Sequence, residues 1–394
     1  MNRSSLATVA TVAVATACAT SEATTSRWNG SVDTLPSGHI VVENTADPIW
    51  TVETQWTVTE DLRIGSLEDD GPDLFGRIMA LEVDSAGRIY VLESQANELR
   101  IFDANGSHVT TAGRDGGGPG EFARPLMMSW GRDGNLWIVD PNNNRISIFD
   151  REGGFVTSRP SPGGFTIIPW PGGFDRAGNY YSPIPLGGED FRLGLLRYDT
   201  AFIAHDTLAP PTDPIEREYF EQRTGDGFMR ASIPEAGGFT WRLSPRGTMM
   251  GMVRDNYRLF EIDQQGDTLR TIRRAFDPLP VMAEDHDSAR VSLEWFVRQG
   301  GRIDLSKMPN HKPATRYLFW DDEDNLWVIP VTPHAQEGRI AHVFDPEGRF
   351  LGEVTFPFRL SSRPYPIIRH NIIHAVTMDE FDVPFVVRAR LSKP

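Results

Sequence analysis

Along most of the chain, apolar, β-branched and aromatic residues come in short runs such as Ile89-Tyr-Val-Leu92 and Leu136-Trp-Ile-Val139, each bounded by turn residues. Runs of this length and composition are strand chemistry. The turns recur at fixed offsets. Asp84-Ser-Ala-Gly87 leads to Asp103-Ala-Asn-Gly106, Gly131-Arg-Asp-Gly134 leads to Asp150-Arg-Glu-Gly153, and Ser244-Pro-Arg-Gly247 leads to Asp263-Gln-Gln-Gly266. From the first glycine to the second aspartate the spacing is 16 residues in all three. Two looser copies, Asp175-Arg-Ala-Gly178 to Asp199 and Asp321-Asp-Glu-Asp324 to Asp345, have a spacing of 21. Gly, or Asn or Asp in its place, suits a turn that visits positive φ, and the leading Asp closes an Asx-type turn onto the backbone. Each repeat therefore reads as strand, turn, strand, loop, strand, turn, strand.

A sixth copy starts at His374-Ala-Val-Thr-Met with the turn Asp379-Glu-Phe-Asp382, runs from Val383 to Leu391, and stops with two strands. The missing pair is expected from the front of the chain, His39 to Glu43 and Thr51 to Ile64, because an unpaired last blade would expose edge backbone and half an apolar face. The predicted fold is all-β, a six-bladed β-propeller whose N-terminal strands close the last blade, with short helical insertions on one face. Helical spacing of Val281, Ala289, Leu293, Phe296 and Val297 marks one insertion, and Ile215 to Met229 is read as a second.

Blades one and two carry a further pattern. Gly113-Arg-Asp-Gly-Gly-Gly-Pro-Gly-Glu-Phe122, Asp133-Gly-Asn-Leu-Trp-Ile-Val-Asp140 and Asn143-Asn-Arg145-Ile-Ser-Ile-Phe-Asp150 together resemble an NHL repeat, and Gly65 to Phe75 is a degraded copy of the same linker. The resemblance covers roughly residues 39 to 391 and is faint in blade three. It implies fold; proteins of this shape include scaffolds, peptide-amidating lyases, streptogramin lyases and, more distantly, lactonases.

Bulk composition narrows the class further. The 394 residues include 36 Gly and 29 Pro, too many for a helical protein, beside 10 Trp and 22 Phe, too many for a disordered one. A formal charge of -15 spread along the chain repels phosphate backbones, so no nucleic-acid partner is expected. Cys18, the single cysteine, excludes an intrachain disulfide and follows an apolar stretch, Leu6 to Ala17, behind Arg3. Ala15-Thr-Ala-Cys18 resembles a bacterial lipobox, with Ala15 where Leu is usual; the other reading is a plain Ala-x-Ala signal cleavage. The expected domains are residues 1–17 as signal peptide, 18–36 as disordered tether and 37–394 as propeller. The expected location is the cell envelope, exported, with the membrane reached only through a lipid on Cys18.

The short turns share one face of such a disk, and the long connections, including 113–124, 209–238, 275–314, 330–338 and 356–370, fall on the other, where binding is normally built. Arg77, Arg124 and Arg316 each precede an innermost strand from that face, and in an acidic protein they would make a local positive funnel for a carboxylate or phosphate. Alternatively each pairs with a nearby carboxylate between blades. Trp170 and Trp241 could form an aromatic wall for a sugar or peptide, or inter-blade packing. His370 joins the ligand-binding candidates, and His334, His370 and His374 are weak metal candidates whose spacing does not require a metal. Asp321-Asp-Glu-Asp-Asn325 has Leu326 where a calcium loop needs glycine. No nucleophile elbow, His-Glu-x-x-His or catalytic cysteine is present. Two functions fit: a non-enzymatic recognition or scaffold module without cofactor, binding a protein, peptide, glycan or small anion on the loop-rich face, or a metal-dependent lyase or lactonase-like enzyme with a divalent ion in the channel mouth.

Overall fold

The structure is a computed structural model that describes residues 28–67, 71–161, 173–186, 193–224 and 227–394. Three strands precede the first repeat, β1 (Ser31–Thr34), β2 (Ile40–Asn44) and β3 (Thr57–Ile64). Blade one is β4 (Ile78–Val83), β5 (Ile89–Glu93), β6 (Glu98–Phe102) and β7 (His108–Ala112). Blade two is β8 (Met127–Trp130), β9 (Leu136–Asp140), β10 (Arg145–Phe149) and β11 (Phe155–Pro160). Blade three contributes β12 (Tyr180–Pro185), β13 (Leu193–Tyr198) and β14 (Ala204–Leu208), with a bridge from Phe174 to Tyr180 inside them. A hairpin of β15 (Tyr219–Thr224) and β16 (Gly227–Ser232) follows. Blade four is β17 (Phe239–Leu243), β18 (Met249–Val253), β19 (Arg258–Ile262) and β20 (Thr268–Arg274). Then come α1 (Ala283–Ser292) and α2 (Glu294–Arg298), and blade five, β21 (Thr315–Trp320), β22 (Leu326–Pro330), β23 (Ile340–Phe344) and β24 (Phe350–Thr355). Blade six is β25 (Ile367–Arg369), β26 (Ile372–Met378) and β27 (Pro384–Ser392), completed by β3.

The inner strands of each blade bury both of their faces, which is why those runs read as continuously apolar, while outer strands such as β7 and β11 are largely exposed. In β5, Tyr90 and Leu92 pack toward blade two while Ile89 and Val91 pack toward blade six. The same parity yields an apolar cluster at every interface round the ring, from blades one and two to blades six and one. The expected turns form as Asx turns. Asp84 Oδ1 accepts the N–H groups of Ala86 and Arg88 at 2.9 Å, and Asp345 Oδ1 accepts those of Glu347 and Arg349 at 3.1 and 2.8 Å. Gly87 closes the first with φ 81°, and Asp324 takes the same left-handed position in blade five with φ 67°.

The ring is closed by the front of the chain, with β3 antiparallel to β27 from Thr57↔Ser392 to Ile64↔Val386. Two details differ from the expected splice. The C-terminal part supplies three strands rather than two, because Ile367–Arg369 forms an innermost strand joined to β26 through the two-residue turn His370-Asn371. The run at His39 to Glu43 does not enter blade six. Instead β2 adds in parallel to β20, and β1 adds to β2, extending blade four to six strands. Residues 31–34, expected within the tether, are therefore a paired strand. Between β2 and β3 the chain runs along the rim of blade five, where the Ile49 and Trp50 N–H groups donate to Phe350 and Leu351 carbonyls and Trp50 stacks near Trp56.

The insertions behave unequally. Residues 283–298 are helical as the spacing predicts, but 219–232 form a hairpin in place of the second helix. Phe220, Ala231 and Ile233 of that hairpin region pack on Ala289, Leu293 and Phe296, so the two insertions share one small core. Apolar residues of a short hairpin satisfy helical spacing by coincidence when only one face is buried.

Candidate functional site

Antiparallel order alone sorts the connections onto two faces. The short turns 84–87, 131–134, 175–178, 244–247, 321–324 and 370–371 join first to second strands and meet at one mouth of the central channel. That mouth is bridged. Arg176 of blade three donates to the Asp324 carboxylate at 2.6 Å and to the Asp322 carbonyl at 2.9 Å, and Arg246 of blade four reaches Asp324 at 3.1 Å. Blades three and five are not neighbours, so these contacts cross the axis. The Arg369 guanidinium donates to Val83 O at 3.2 Å beside the Trp130 indole, which donates to the same oxygen at 3.1 Å. Side-chain contacts thus span the short-turn mouth, and the loop-rich mouth carries the long connections.

His370 belongs to the short-turn mouth. Its N–H donates to Asp322 Oδ2 at 2.9 Å and its ring lies 3.5 Å from the same carboxylate. This corrects its expected position with the loop-rich residues: the tight turn after Arg369 carries it to the opposite face. His334 is exposed in a loop of the other face, where Nδ1 lies 3.2 Å from Glu337. His374 is buried between blades six and one, its Nε2 without a hydrogen-bond partner. The three imidazoles do not converge, and among the described residues no group of three or more His, Cys, Asp or Glu is arranged to hold a metal ion.

Burial, and after it the nearby Arg388 charge, pushes the His374 pKa down from 6.5 to about 4. A folded-state pKa below the unfolded one means that stability is full above pH 6.5 and is lost as pH falls toward 4. The expected loss at pH 4.5 is roughly 2 to 3 kcal/mol from this group. Urea midpoints at pH 7 and 4.5 check it: His374→Gln should show a smaller pH decrement than the parent, and equal decrements would contradict the assignment.

On the open face, Arg77 and Arg124 stand where their innermost strands begin, and each is positioned through its backbone. Buried Glu93, at the end of β5, accepts the Arg77 N–H at 2.6 Å, and buried Asp140, at the end of β9, accepts the Arg124 N–H at 2.9 Å. Both side chains are exposed, without an ion-pair partner among the described residues. In the same two blades Arg100 clamps the carbonyls of Pro72 and Leu74, and Arg145 those of Gly117, Gly118 and Glu121. These clamps explain why the linker and the third-strand arginine occur together in the sequence.

The positive charge is densest over blades four to six. Arg316 lies at a register shift between β21 and β22, where a bulged residue is free to aim away from the ladder. Its guanidinium pairs with Glu337 at 2.8 Å, and Arg359 pairs with the same oxygen at 3.0 Å. Arg254 donates to Thr315 O at 2.9 Å; burial first, then the neighbouring Arg316, holds its pKa below the usual guanidinium range. An open pocket of about 400 Å³ begins at Asp255, the residue after Arg254, and is walled by Glu235, Phe276, Pro278, Pro309, Lys312 and Pro313.

Arg242 is the most distinctive member. It projects from β17, the innermost strand of blade four, donates to Leu318 O at 3.0 Å and lies 3.6 Å over the Tyr365 ring. Tyr365 leads into blade six, so this contact also crosses the channel. Arg242 has no carboxylate partner among the described residues, and burial pushes its pKa down. The contrast is Glu82 on β4, whose charge is answered by Arg369 at 3.5 Å.

Of the residues singled out in the sequence, Arg77, Arg124 and Arg316 each stand at the loop-rich end of an innermost strand, and Arg316 pairs with Glu337 as the alternative reading of the arginines had it. Trp241 sits on β17 beside Arg242, packed against the cluster between blades three and four. Trp170 and Cys18 lie outside the described residues. Arg242, Arg254 and Arg359 were not singled out. The available signal for Arg242 was a charge five residues before the turn glycine Gly247, inside an innermost strand.

Fold and site together define a six-bladed β-propeller bridged by ion pairs across one face and carrying several arginines on the other. Residues 66–159 match a family model described as a 6-bladed beta-propeller, DUF5128. Among solved structures, a Bacteroides fragilis protein described as exported aligns at TM-score 0.50 and 11% identity, covering 90% of this chain and 100% of that one. A DUF4221-family member from Bacteroides vulgatus aligns at TM-score 0.48 and 11% identity over 86% and 98%. Virginiamycin B lyase from Staphylococcus aureus aligns at TM-score 0.38 and 14% identity over 83% of each chain. At these identities the likeness concerns the fold alone. No curated protein matches the sequence. No helix among the described residues is long and apolar enough to cross a membrane.

Proposed function

We propose that the chain is an exported recognition propeller that binds an oxyanionic ligand, carboxylate or phosphate, in the loop-rich mouth of its channel. The observation that carries the reading is Arg242, an unpaired guanidinium stacked on Tyr365 in the channel of a protein with net charge -15. A half-buried cation without a counter-ion costs stability, and the Arg242 fork recovers that cost when a planar anion arrives. The bridged opposite mouth supports approach from the loop-rich side. Exposed Arg77 and Arg124 would steer the anion toward it. The NHL-like pattern of blades one and two is consistent with a binding scaffold, and no residue arrangement described above supplies a nucleophile.

Titration calorimetry of the purified chain with citrate and with inorganic phosphate tests the proposal. Binding of at least one is expected, weakening as salt rises from 50 to 500 mM, by roughly tenfold or more for a multiply charged contact. Absence of binding to both at low salt, or affinity indifferent to salt, would overturn it. Anchoring through a lipid on Cys18 belongs to the same proposal. Cys18→Ala should move the protein from the membrane fraction to the soluble one, and an unchanged distribution would count against the anchor.

A further inference from the structure

The geometry points to a carboxylate subsite at Arg316 and Arg359 that the protein fills with its own Glu337, so that the ligand binds there by displacing it. This inference rests on the oxyanion reading above and specifies one half of the site. Glu337 stands in for a ligand carboxylate: Oε1 accepts from Arg316 at 2.8 Å and from Arg359 at 3.0 Å, while Oε2 faces His334 at 3.2 Å. One carboxylate thus serves two guanidinium groups, and the neighbouring Arg254 and Arg242 have no share in it. Arg316 is incompletely used. Its Nε is buried without a hydrogen-bond partner while only a terminal nitrogen reaches Glu337. A free carboxylate could take Nε and the terminal nitrogen together, the side-on geometry that makes arginine–carboxylate pairs selective.

The segment that carries Glu337 need not move, since its Gly338 carbonyl is held by the Leu360 N–H and only the Glu337 side chain has to turn away. It is the connection from β22 to β23, with the one-turn helix His334–Gln336 and Gly338 at φ 68°, and the His334 side chain is 93% exposed. The arginines stay where they are without it: Arg316 is on a blade strand, and the stretch carrying Arg359 is pinned by Phe358 and Leu360 in the core between blades five and six. Tyr317 continues the site inward, its ring 5.6 Å from Tyr365, on which Arg242 is stacked. A ligand with a second anionic group would engage the rim pair and Arg242 in one pose.

Glu337→Gln keeps the shape and removes the competing charge. The variant is expected to bind citrate about three- to tenfold more tightly than the parent, as removal of a partly buried ion-pair competitor allows. Glu337→Asp, which keeps the charge on a shorter arm, should fall between the two. The gain should be larger for citrate than for inorganic phosphate, since the vacated geometry is that of a carboxylate. Thermal melts of both variants establish that they fold. If the parent binds citrate and Glu337→Gln binds it equally or more weakly, the displacement inference is wrong while the oxyanion reading stands. If neither protein binds citrate or phosphate, the oxyanion reading itself fails and this inference with it.

Discussion

Replacing Asn44 with alanine should destabilise the protein by about 3 kcal/mol, far more than a polar residue near the front of a chain ordinarily contributes. Asn44 is 5% exposed and ends β2. Its Oδ1 accepts the Phe350 N–H at 2.7 Å and the Trp28 indole N–H at 3.0 Å, and its Nδ2 donates to Gly348 O at 3.0 Å and Arg273 O at 3.1 Å. One side chain therefore joins the edge of blade four, the last turn of blade five and the N-terminal segment. Truncation strands a buried amide and a buried carbonyl, each costing about 1–3 kcal/mol. Asn44→Asp keeps the acceptor but sets a buried carboxylate oxygen against the Gly348 and Arg273 carbonyls, and should cost at least as much. Urea unfolding measures both, and a loss below about 1 kcal/mol for Asn44→Ala would show that the segment before β3 contributes little to closure.

The second large effect is expected at Arg242. Arg242→Met keeps an unbranched chain of similar length against Tyr365 and removes the charge. Citrate or phosphate affinity should fall by about 10- to 100-fold, the range of hydrogen bonds to a charged group. Stability should hold or rise, because the substitution deletes a desolvated cation that nothing in the free protein neutralises. A residue that matters only for packing would show the opposite combination, with stability lowered and affinity intact. That result would return Arg242 to the fold and remove it from the site.

How much of this was readable in the sequence follows from which constraints are local. The Asx turns were legible because the Asp side chain bonds its own backbone two and four residues on, so the signature is contiguous in blades as different as one and five. The sixth blade was misread at the same level of chemistry. The turn at Asp379 bonds the Phe381 and Val383 N–H groups like the others, yet it joins the second and third strands. The true first turn is His370-Asn371, with φ of 52° and 60° and no glycine to announce it. That substitution hid β25 and put His370 on the wrong face. The addition of β2 to β20 was illegible for another reason: parallel pairing across more than two hundred residues leaves no turn to recognise.

The site divides in the same way. Arg77, Arg124 and Arg316 could be placed from the repeat because each sits eight to ten residues before a first-turn glycine position. Arg254 and Arg359 lie in connections outside the repeat, and their approach to Arg316 is purely tertiary. Arg242 was visible as a charge within an apolar strand, but its lack of a counter-ion is a property of three blades at once. Glu82, the matching charge on β4, has its answer in Arg369 of blade six, and nothing in either sequence segment distinguishes the two cases.

Hydrogen exchange of the chain with and without saturating citrate tests the central claim most directly. Amides of residues 239–243, 315–318 and 363–367, around Arg242, Arg316 and Tyr365, should slow when citrate binds, while the turns 175–178, 244–247 and 321–324 of the bridged mouth should not change. Protection confined to those turns would place the anion at the opposite end of the channel and contradict the account.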